Sequence, residues 1–481
     1  MKYKLNIILI SIDDLRWDAI GCEENKQLLE EYSPENFVST KTIDSIAEEG
    51  VRFSCCLSTS SYTPAPHASM LTGAYPSKHG IVSFAGKLSN SVRTLAEILN
   101  EKGYICLASI EHVALKLLDI TRGFHIVNER YNDEFSLFDA IKKGGGPFFL
   151  FFHFMDVHSP YYFAKGSSLD IQRYNKDYLD KIEYIGRKYS INVAKLLEKG
   201  KEKARKEVRN FTRLSPSMQR YAEIRAFDYL LRCELKQRGR LFAEIIPLYL
   251  QGVTKFSENK FRDILLLLKK EGILNNSILI ITSDHGESIC EWRGRVDFMN
   301  SFWLYEPSIR VPLIIKTEGL PKGKIINTPV SIIDIVPTVL DLLNIKVDYE
   351  CDGKSLIPLV ETGEPPHKFI FSETWVYEGG WDQFGNLRGE FKAYLRQLAV
   401  RYGHFKYVLT RDEGTTKTEE ALFDIENDIH ERDNLFNKED KVQISSLLHN
   451  VATESIGKRV LTFSSSSDLK LLEHLKALGY I

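Results

Sequence analysis

The sequence predicts an α/β protein with a mostly parallel sheet flanked by helices, followed by a smaller α+β region that contains an antiparallel sheet. Two observations predict the first part. Continuous apolar runs of strand length recur along the chain, and helical patterns lie between them. A third observation concerns the last quarter of the chain, where shorter strand-like runs alternate with turn residues after about Pro365.

The buried strands can be read in chain order. An apolar run at 6–12 opens the chain, and similar runs follow at 147–152 and 277–282. Apolar residues at helical spacing over 91–103 end in a glycine and lead into a strand at 104–108, and a helix over 258–272 leads into the strand at 277–282. Strands that alternate with helices favour a parallel sheet, because each crossover returns the chain to the same edge.

Two regions depart from this pattern. Residues 169–248 are rich in Lys, Arg, Glu and Tyr and read as a helical insertion, either a solvated one or a lid that shapes substrate access. Short strand-like runs at 368–372, 398–402 and 405–409 indicate the antiparallel sheet. The sequence therefore predicts a catalytic domain over 1–365 and a C-terminal subdomain over 366–481.

Composition excludes several classes of function. Lys+Arg number 63 against 65 Asp+Glu, a net charge of −2, so no basic footprint for nucleic acid or anionic membranes is present. Seven cysteines without regular spacing do not indicate a disulfide framework. No apolar run reaches the about 20 residues of a membrane span, and the first run ends in Asp13-Asp14 rather than at a cleavage site. We expect a soluble, cytoplasmic protein with neither nucleic-acid nor membrane partners; its oligomeric state is left open.

Polar clusters directly follow three of the predicted strands. They are Asp13-Asp14, the segment 153–158 with its two histidines, and Asp284-His285. Ligands of parallel sheets bind beyond the carboxyl ends of the strands, so these clusters should meet at one edge. Paired carboxylates with an imidazole suit a divalent cation. Adjacent carboxylates also cap helices, which is the alternative for Asp13-Asp14 taken alone.

One further segment makes the pattern specific. Residues 63–73 read TPAPHASMLTG and are followed by Tyr75-Pro76 and His79-Gly80. This resembles the sulfatase signature, Cys/Ser-x-Pro-x-Arg-Ala-Ser-Leu-Leu-Thr-Gly, in which the first position is the nucleophile. Other segments resemble sulfatase landmarks in the same order: NIILISIDD, TLAEILNEKGY, DVHSPY, ITSDHGE, LYEPSIRVPLIIK, SIIDIVPTVLDLLNI, DGKSLIPL and ALFDIENDIHERDNL.

The resemblance implies an alkaline-phosphatase-like fold and a single-metal site. It places Asp13, Asp14, Asp284 and His285 as ligands of one divalent cation, with Thr63 directed at the metal as the nucleophile. Three carboxylates suit Ca²⁺, the histidine favours Mn²⁺, and Mg²⁺ and Zn²⁺ are the alternatives.

The resemblance also assigns two catalytic histidines. His67 stands where the family has arginine and is expected to hydrogen-bond the nucleophile or a substrate oxygen, whereas His158 is expected to contact the ester oxygen and act as general acid. His153 is expected to be a buried, hydrogen-bonded structural residue. If a second metal bound, Asp156 and His158 would be the candidate ligands.

The chain departs from the family pattern at residues that are expected to attack or bind the substrate. Threonine replaces the cysteine or serine that most sulfatases convert into formylglycine, so Thr63 would attack as a simple alkoxide. The imidazole of His67 lacks the planar, permanently charged guanidinium group of arginine. No Lys or His occurs in 297–303, and no Lys-x-His element is recognisable, although residues 109–112 lie near its place. The metal-binding half of the site is therefore more complete than the substrate-binding half.

Several functions remain open from the sequence. The leading hypothesis is a metal-dependent hydrolase that cleaves the sulfate or phosphate ester of a small molecule or saccharide through Thr63. Within this mechanistic class, a phosphodiesterase or phosphonate monoester hydrolase is the alternative. Two alternatives belong to other functional classes. One is a catalytically impaired, metal-binding pseudoenzyme, and the other is a transferase that passes a phospho-group from Thr63 to a sugar or lipid.

Overall fold

The catalytic sheet has a core of three parallel strands whose apolar residues are buried on both faces. In the computed structural model, β1 (Asn6–Ile12) lies between β5 (Phe148–Phe154) and β6 (Ser277–Thr282). The structure describes residues 5–23, 39–82, 87–129, 134–161, 169–207, 212, 216–289, 303–381, 387–411, 418–456 and 460–463.

Within the described residues, the catalytic sheet has nine strands, and most neighbouring strands are parallel. Its order is β4-β3-β5-β1-β6-β7-β2-β8, with β9 paired to β2. Only β7 runs antiparallel to its neighbours β6 and β2 among the described pairs of this sheet. The remaining strands are β2 (Val51–Leu57), β3 (Ile105–Ile110), β4 (Ile126–Asn128), β7 (Arg310–Lys316), β8 (Lys324–Ile326) and β9 (Val330–Ser331).

Alternate side chains of β1 enter two different hydrophobic clusters, one on each face of the sheet. Ile8 and Ile10 pack with the helices of the 169–270 region, whereas Ile7 and Leu9 pack on the other face. Burying each such side chain contributes about 1.5–3 kcal/mol. The two-sided burial explains why the strand reads as a continuous apolar run.

Helices cover both faces of the sheet. In chain order they are α1 (Lys41–Glu48), α2 (Pro64–Thr72), α3 (Pro76–His79), α4 (Leu95–Glu101), α5 (Ala114–Leu117), α6 (Glu134–Gly144), α7 (Leu169–Tyr189), α8 (Val193–Glu207), α9 (Pro216–Gln237), α10 (Leu241–Lys255), α11 (Arg262–Lys270), α12 (Glu306–Ile309), α13 (Ile335–Leu342), α14 (Ile357–Thr362) and α15 (Val442–Ile456). A π-helical turn, Phe256–Phe261, joins α10 to α11. None of the described helices is both long and apolar enough to cross a membrane.

The segment predicted to be a helical insertion forms α7 to α10. It is more than a solvated layer, because Tyr178, Ile182, Phe227 and Leu231 are fully or almost fully buried in the same cluster as Ile8. One face of the segment therefore belongs to the core of the catalytic region.

The predicted antiparallel sheet is confirmed in the C-terminal region. Its order is β10-β11-β12-β13, with β14 paired to β11. The strands are β10 (Ile370–Trp381), β11 (Leu387–Tyr402), β12 (Phe405–Arg411), β13 (Thr418–Asp424) and β14 (Val460–Phe463). β10 begins five residues after the predicted domain boundary at 365, and the boundary itself stays a prediction.

Candidate metal and catalytic site

The register of the central strands brings the predicted polar clusters to one edge of the sheet. Ile12 pairs with Phe154, and Ser11 pairs with both His153 and Thr282. The residues that follow these strands therefore lie at the same edge of the sheet. Asp13, Asp14, Asp284 and His285 are all fully buried there.

Asp13 lies at the centre of the site. Its Oδ2 is 3.1 Å from His153 Nε2 and 3.5 Å from Thr63 Oγ1, and its Oδ1 has no hydrogen-bond partner. Burial raises the pKa of Asp13, but the hydrogen bond from His153 and the charges of His158 and His285 outweigh it and hold the pKa well below its usual value. Asp13 is therefore a carboxylate at neutral pH.

His285 presents one ring nitrogen to this centre. Its Nδ1 lies 2.8 Å from the carbonyl oxygen of Gly286, which can only accept, so Nδ1 carries the proton. Its Nε2 lies 3.4 Å from Asp284 Oδ2 and 3.5 Å from Thr63 Oγ1. Burial lowers the pKa of His285, but the charges of Asp284 and Asp14 outweigh burial and raise it, so Nε2 also carries a proton, which a metal bound at this nitrogen would displace.

Asp14 occupies a sharp turn after β1, with a φ of 63° that few residues other than glycine and Asn/Asp adopt. Its Oδ1 lies 3.0 Å from His285 Nδ1 and its Oδ2 lies 3.7 Å from His158 Nε2, but neither ion-pair contact has the geometry of a hydrogen bond. Burial and the neighbouring Glu287 raise the pKa of Asp14. His158 donates from Nδ1 to the carbonyl oxygen of Ser159 at 2.6 Å, and its Nε2 faces Asp14.

Thr63 stands at the N-terminus of α2, and a proline of this helix shapes its surroundings. Pro66, the third residue of the helix, has no backbone N–H, so one of the two usual targets of an N-cap side chain is missing. The Thr63 hydroxyl makes no capping hydrogen bond. It lies instead 3.5 Å from both Asp13 and His285 and is almost completely buried.

His67 lies one helical turn after Thr63 and contacts its backbone rather than its hydroxyl. Nδ1 donates to the Thr63 carbonyl oxygen at 2.7 Å, and Nε2 then accepts from the Ser11 hydroxyl at 3.0 Å. Burial lowers the pKa of His67 to about 3. The ring is therefore neutral, with both nitrogens engaged by the protein; a contact between His67 and a substrate oxygen stays a prediction.

The residues present fit a divalent cation. Four carboxylate oxygens of the predicted ligands have no hydrogen-bond partner, namely Asp13 Oδ1, both oxygens of Asp14, and Asp284 Oδ2. Ligand atoms of Asp13, Asp284 and His285 lie within 4.8 Å of one another, as do those of Asp13, Asp14 and His158. Three carboxyl groups this close together in a buried interior repel one another unless a cation or a proton neutralises part of their charge.

Two contacts of the site were not predicted from the sequence. His153 was expected to be structural and is indeed buried, but its partner is the predicted ligand Asp13. Asp156, a candidate for a second metal, forms an ion pair of 2.9 Å with Lys260, which also binds Glu111. Asp156 is thus outside both groups of candidate ligands. Residues 297–302, where a basic residue was sought, lie outside the described part of the chain.

Comparison with known proteins agrees with this geometry. The family model described as Sulfatase matches residues 5–107 and 124–345, and one described as N-sulphoglucosamine sulphohydrolase, C-terminal, matches residues 294–457. An arylsulfatase of Clostridium perfringens is 22% identical over 97% of this chain and 97% of its own.

Two solved structures share the fold. One, described as a complex with its substrate D-glucosamine-2-N,6-O-disulfate, has a TM-score of 0.63 and 19% identity, covering 95% of this chain and 98% of that one. The phosphonate monoester hydrolase of Agrobacterium radiobacter has a TM-score of 0.61 and 17% identity, covering 95% and 96%.

The mostly parallel α/β fold of this chain is thus the one that these two structures have. Because the Sulfatase model matches well over half of its length, the chain belongs to the sulfatase family. Sulfatases are sulfuric ester hydrolases that depend on a divalent cation, and the buried carboxylates and His285 are groups that can bind one.

Proposed function

We propose that this protein hydrolyses sulfate or phosphate esters at a single-metal site, with Thr63 as an unmodified nucleophile. The observation that carries the proposal is the position of the Thr63 hydroxyl, 3.5 Å from both Asp13 Oδ2 and His285 Nε2. A buried hydroxyl held against a carboxylate and an imidazole is placed for activation rather than for capping its helix.

The cation would be held by Asp13, Asp14, Asp284 and His285, and Ca²⁺ or Mn²⁺ is our first choice. When bound, it lowers the pKa of a nearby hydroxyl and neutralises charge on the oxygens of the ester. The unpaired oxygens of Asp13, Asp14 and Asp284 support this assignment. Asp13 is oriented by His153, which leaves its second oxygen available.

In the first step, Thr63 loses its hydroxyl proton to water and attacks as the alkoxide, so that Oγ1 forms a bond to the sulfur or phosphorus of the ester while the bond to the leaving oxygen breaks. His158 supplies the proton that the leaving oxygen needs. Its Nδ1 is fixed by the Ser159 carbonyl oxygen, so a protonated His158 carries its transferable proton on Nε2, beside Asp14.

The second step must differ from that of a formylglycine sulfatase. A hydrated aldehyde has two oxygens on one carbon and can expel sulfate by re-forming its carbonyl group. Cβ of Thr63 has a single oxygen, so water must attack the sulfur or phosphorus and release the threonine hydroxyl. The oxygen of that water is then found in the inorganic product.

A sulfated or phosphorylated saccharide is the substrate class that we propose. Support comes from the relative whose structure contains a glucosamine disulfate as its substrate, although the likeness to this chain at 19% identity is one of fold. The fold shared with a phosphonate monoester hydrolase, together with a threonine at position 63, favours phosphorus esters as the second candidate.

A metal-titrated activity panel tests the proposal. Purified protein is assayed with nitrophenyl sulfate, nitrophenyl phosphate, bis-nitrophenyl phosphate and a phenylphosphonate ester, each with Ca²⁺, Mn²⁺, Mg²⁺ or Zn²⁺. Thr63→Ala is the blank. The matched control is Thr59→Ala, because Thr59 is a nearby buried threonine whose hydroxyl donates a hydrogen bond to Ser69. Turnover should fall by several orders of magnitude in Thr63→Ala alone.

The panel also separates the alternatives. Turnover of only the phosphorus esters would identify a threonine phosphohydrolase. Tight metal binding without turnover of any ester would instead support the pseudoenzyme. Hydrolysis in ¹⁸O-labelled water, followed by mass spectrometry of the sulfate or phosphate, tests the second step.

A further inference from the structure

A lysine that the proposed reaction does not use lies beside the end of β5, where the two histidines of segment 153–158 stand. Lys260 belongs to the π-helical turn Phe256–Phe261, a conformation that is rare and is often found at functional sites. The two phenylalanines that begin and end the turn are 3% and 0% exposed, so they fix it against the core. The side chain of Lys260 is 19% exposed.

Lys260 joins the ends of two neighbouring strands. Its Nζ lies 2.5 Å from Oε1 of Glu111, the residue that follows β3, and 2.9 Å from Oδ2 of Asp156, two residues after β5. It also lies 4.8 Å from the centre of the ring of Phe154, the last residue of β5. Because β3 and β5 are paired, one ammonium group holds together the two loops that leave them.

This ammonium group stands between two acidic side chains. Burial lowers the pKa of Lys260, but the charges of Asp156 and Glu111 outweigh burial and raise it, so Lys260 stays protonated. Burial raises the pKa of Glu111, and the charge of Asp156 raises it further, whereas the charge of Lys260 lowers it. The two carboxyl groups are therefore close enough to repel each other when the cation is removed.

The carboxylate of Glu111 also holds the segment that carries His158. Its Oε2 accepts a hydrogen bond of 2.7 Å from the backbone N–H of Met155, and the carbonyl oxygen of Met155 accepts one of 3.1 Å from the N–H of His158. The backbone N–H of Glu111 donates to His153 Nδ1 at 3.4 Å. By fixing Glu111, Lys260 therefore supports both histidines at this end of β5.

We propose that Lys260 is a positioning residue, which holds the proposed general acid His158 in place by bridging the ends of β3 and β5. The inference rests on the proposed hydrolase function, in which His158 gives its proton to the leaving oxygen. Without the ammonium group, the two carboxyl groups move apart or one of them takes up a proton. The segment from Met155 to His158 then loses its attachment to the end of β3.

The identity of the leaving group tests this inference in the full-length protein. Nitrophenolate leaves as a stable anion, whereas phenolate needs a proton from the general acid. Lys260→Met should lower kcat/KM for a phenyl ester by about 10–100-fold, but for the corresponding nitrophenyl ester by less than about 3-fold. Lys260→Arg keeps the cation and should restore most of the loss. The esters are sulfates or phosphates, according to the class that the protein hydrolyses.

Two further variants show whether charge is the cause. Lys188→Met breaks another lysine–glutamate contact, the 2.7 Å pair with Glu244, and should leave both esters unaffected. Asp156→Asn in the Lys260→Met background removes one of the two repelling carboxylates, so part of the activity toward the phenyl ester should return. Equal losses for the two esters in a folded Lys260→Met variant would overturn the inference, as would the absence of any recovery in the double variant.

Hydrogen exchange separates this inference from the hydrolase proposal. Because the N–H of Met155 is bonded to Glu111, exchange is followed by mass spectrometry in peptides that cover residues 148–158. It should be several-fold faster in Lys260→Met than in the wild type, in Lys188→Met or in Lys260→Arg. Faster exchange supports the positioning role even if the wild-type protein hydrolyses no ester. Unchanged exchange contradicts it even if hydrolysis is observed.

Discussion

The Nε2 atom of His153 lies 3.1 Å from Oδ2 of Asp13, and the direction of this hydrogen bond is fixed. The backbone N–H of Glu111 donates to His153 Nδ1 at 3.4 Å, which makes Nδ1 the acceptor and places the ring proton on Nε2. His153 therefore donates to Asp13, holding one carboxylate oxygen and leaving Oδ1 for a cation. Such a contact orients a metal ligand without touching the metal.

Loss of this contact should weaken metal binding. His153→Ala is expected to reduce the affinity for Mn²⁺ by about 10–100-fold, measured by isothermal titration calorimetry on chelator-treated protein. His153→Gln, which can still donate from its amide, should recover part of the affinity. His404→Ala removes an exposed histidine in the turn between β11 and β12 of the C-terminal sheet and serves as control. Wild-type affinity in His153→Ala would contradict the assignment.

Metal removal should lower the stability of the fold. Asp13, Asp14 and Asp284 place three carboxyl groups in one buried cluster, where the repulsion is relieved only by a bound cation or by protonation. A cation at 100 times its Kd stabilises the folded state by about 2.7 kcal/mol. Thermal unfolding with and without EDTA should differ by several degrees, and identical curves with every metal tested would exclude a metal site.

Stability should also fall with pH through His79, which is fully buried. Burial lowers its pKa to about 3, against an ordinary value of 6.5 in the unfolded chain. The unfolded state therefore takes up a proton below pH 6.5 that the folded state cannot, and the stability present above this pH is lost as the pH falls. Between pH 7.5 and 5 we expect a loss of about 2 kcal/mol from this group.

Urea unfolding at several pH values checks this expectation. His79→Asn keeps an acceptor for the Ile81 N–H but cannot titrate, so its stability should depend less on pH than that of the wild type. Parallel pH profiles for the two proteins would assign the acid sensitivity to other groups.

The two sheets are joined by a buried ionic network around Lys406. Its Nζ lies 3.3 Å from Glu306 Oε1 and 2.7 Å from Glu431 Oε1, and all three side chains are at most 1% exposed. Lys406→Met removes the cation that pairs with Glu431, while Glu306 keeps its longer contacts with Arg401 and Arg310; the change should cost about 3–5 kcal/mol in the free energy of unfolding. Lys201→Met, which breaks the exposed pair with Glu198, should cost under about 1 kcal/mol. Equal losses of stability in the two variants would show that the buried network contributes no more than an exposed ion pair.

The sheet elements were predictable to different degrees. β1 and β6 match their predicted ranges because both faces of these strands are buried, which makes their apolar runs continuous. β3 extends two residues beyond the predicted strand end at 108. The antiparallel direction of β7 was not predicted, since an apolar run does not encode strand direction. The predicted helix over 258–272 contains a π-helical turn, for which the periodicity gave no sign.

The helical segment was the least predictable region. Its charged residues indicated helices, and helices formed, but the burial of Phe227 and Leu231 in the sheet's core depends on how the segment folds back. Arg232 illustrates the limit, because an arginine within a Lys- and Arg-rich stretch has no sequence feature that marks it as buried.

The sequence by itself determined the fold class, the sulfatase family, and the grouping of Asp13, Asp14, Thr63, Asp284 and His285, because strand-end position and motif order are local properties of the chain. A cytoplasmic location and the domain boundary at 365 stay predictions from it. Only the tertiary structure decided what orients those groups. The contact of His153 with Asp13 joins residues 140 positions apart, and that of Lys260 with Glu111 joins separate elements. Such pairings depend on packing and charge in three dimensions, which no local pattern contains.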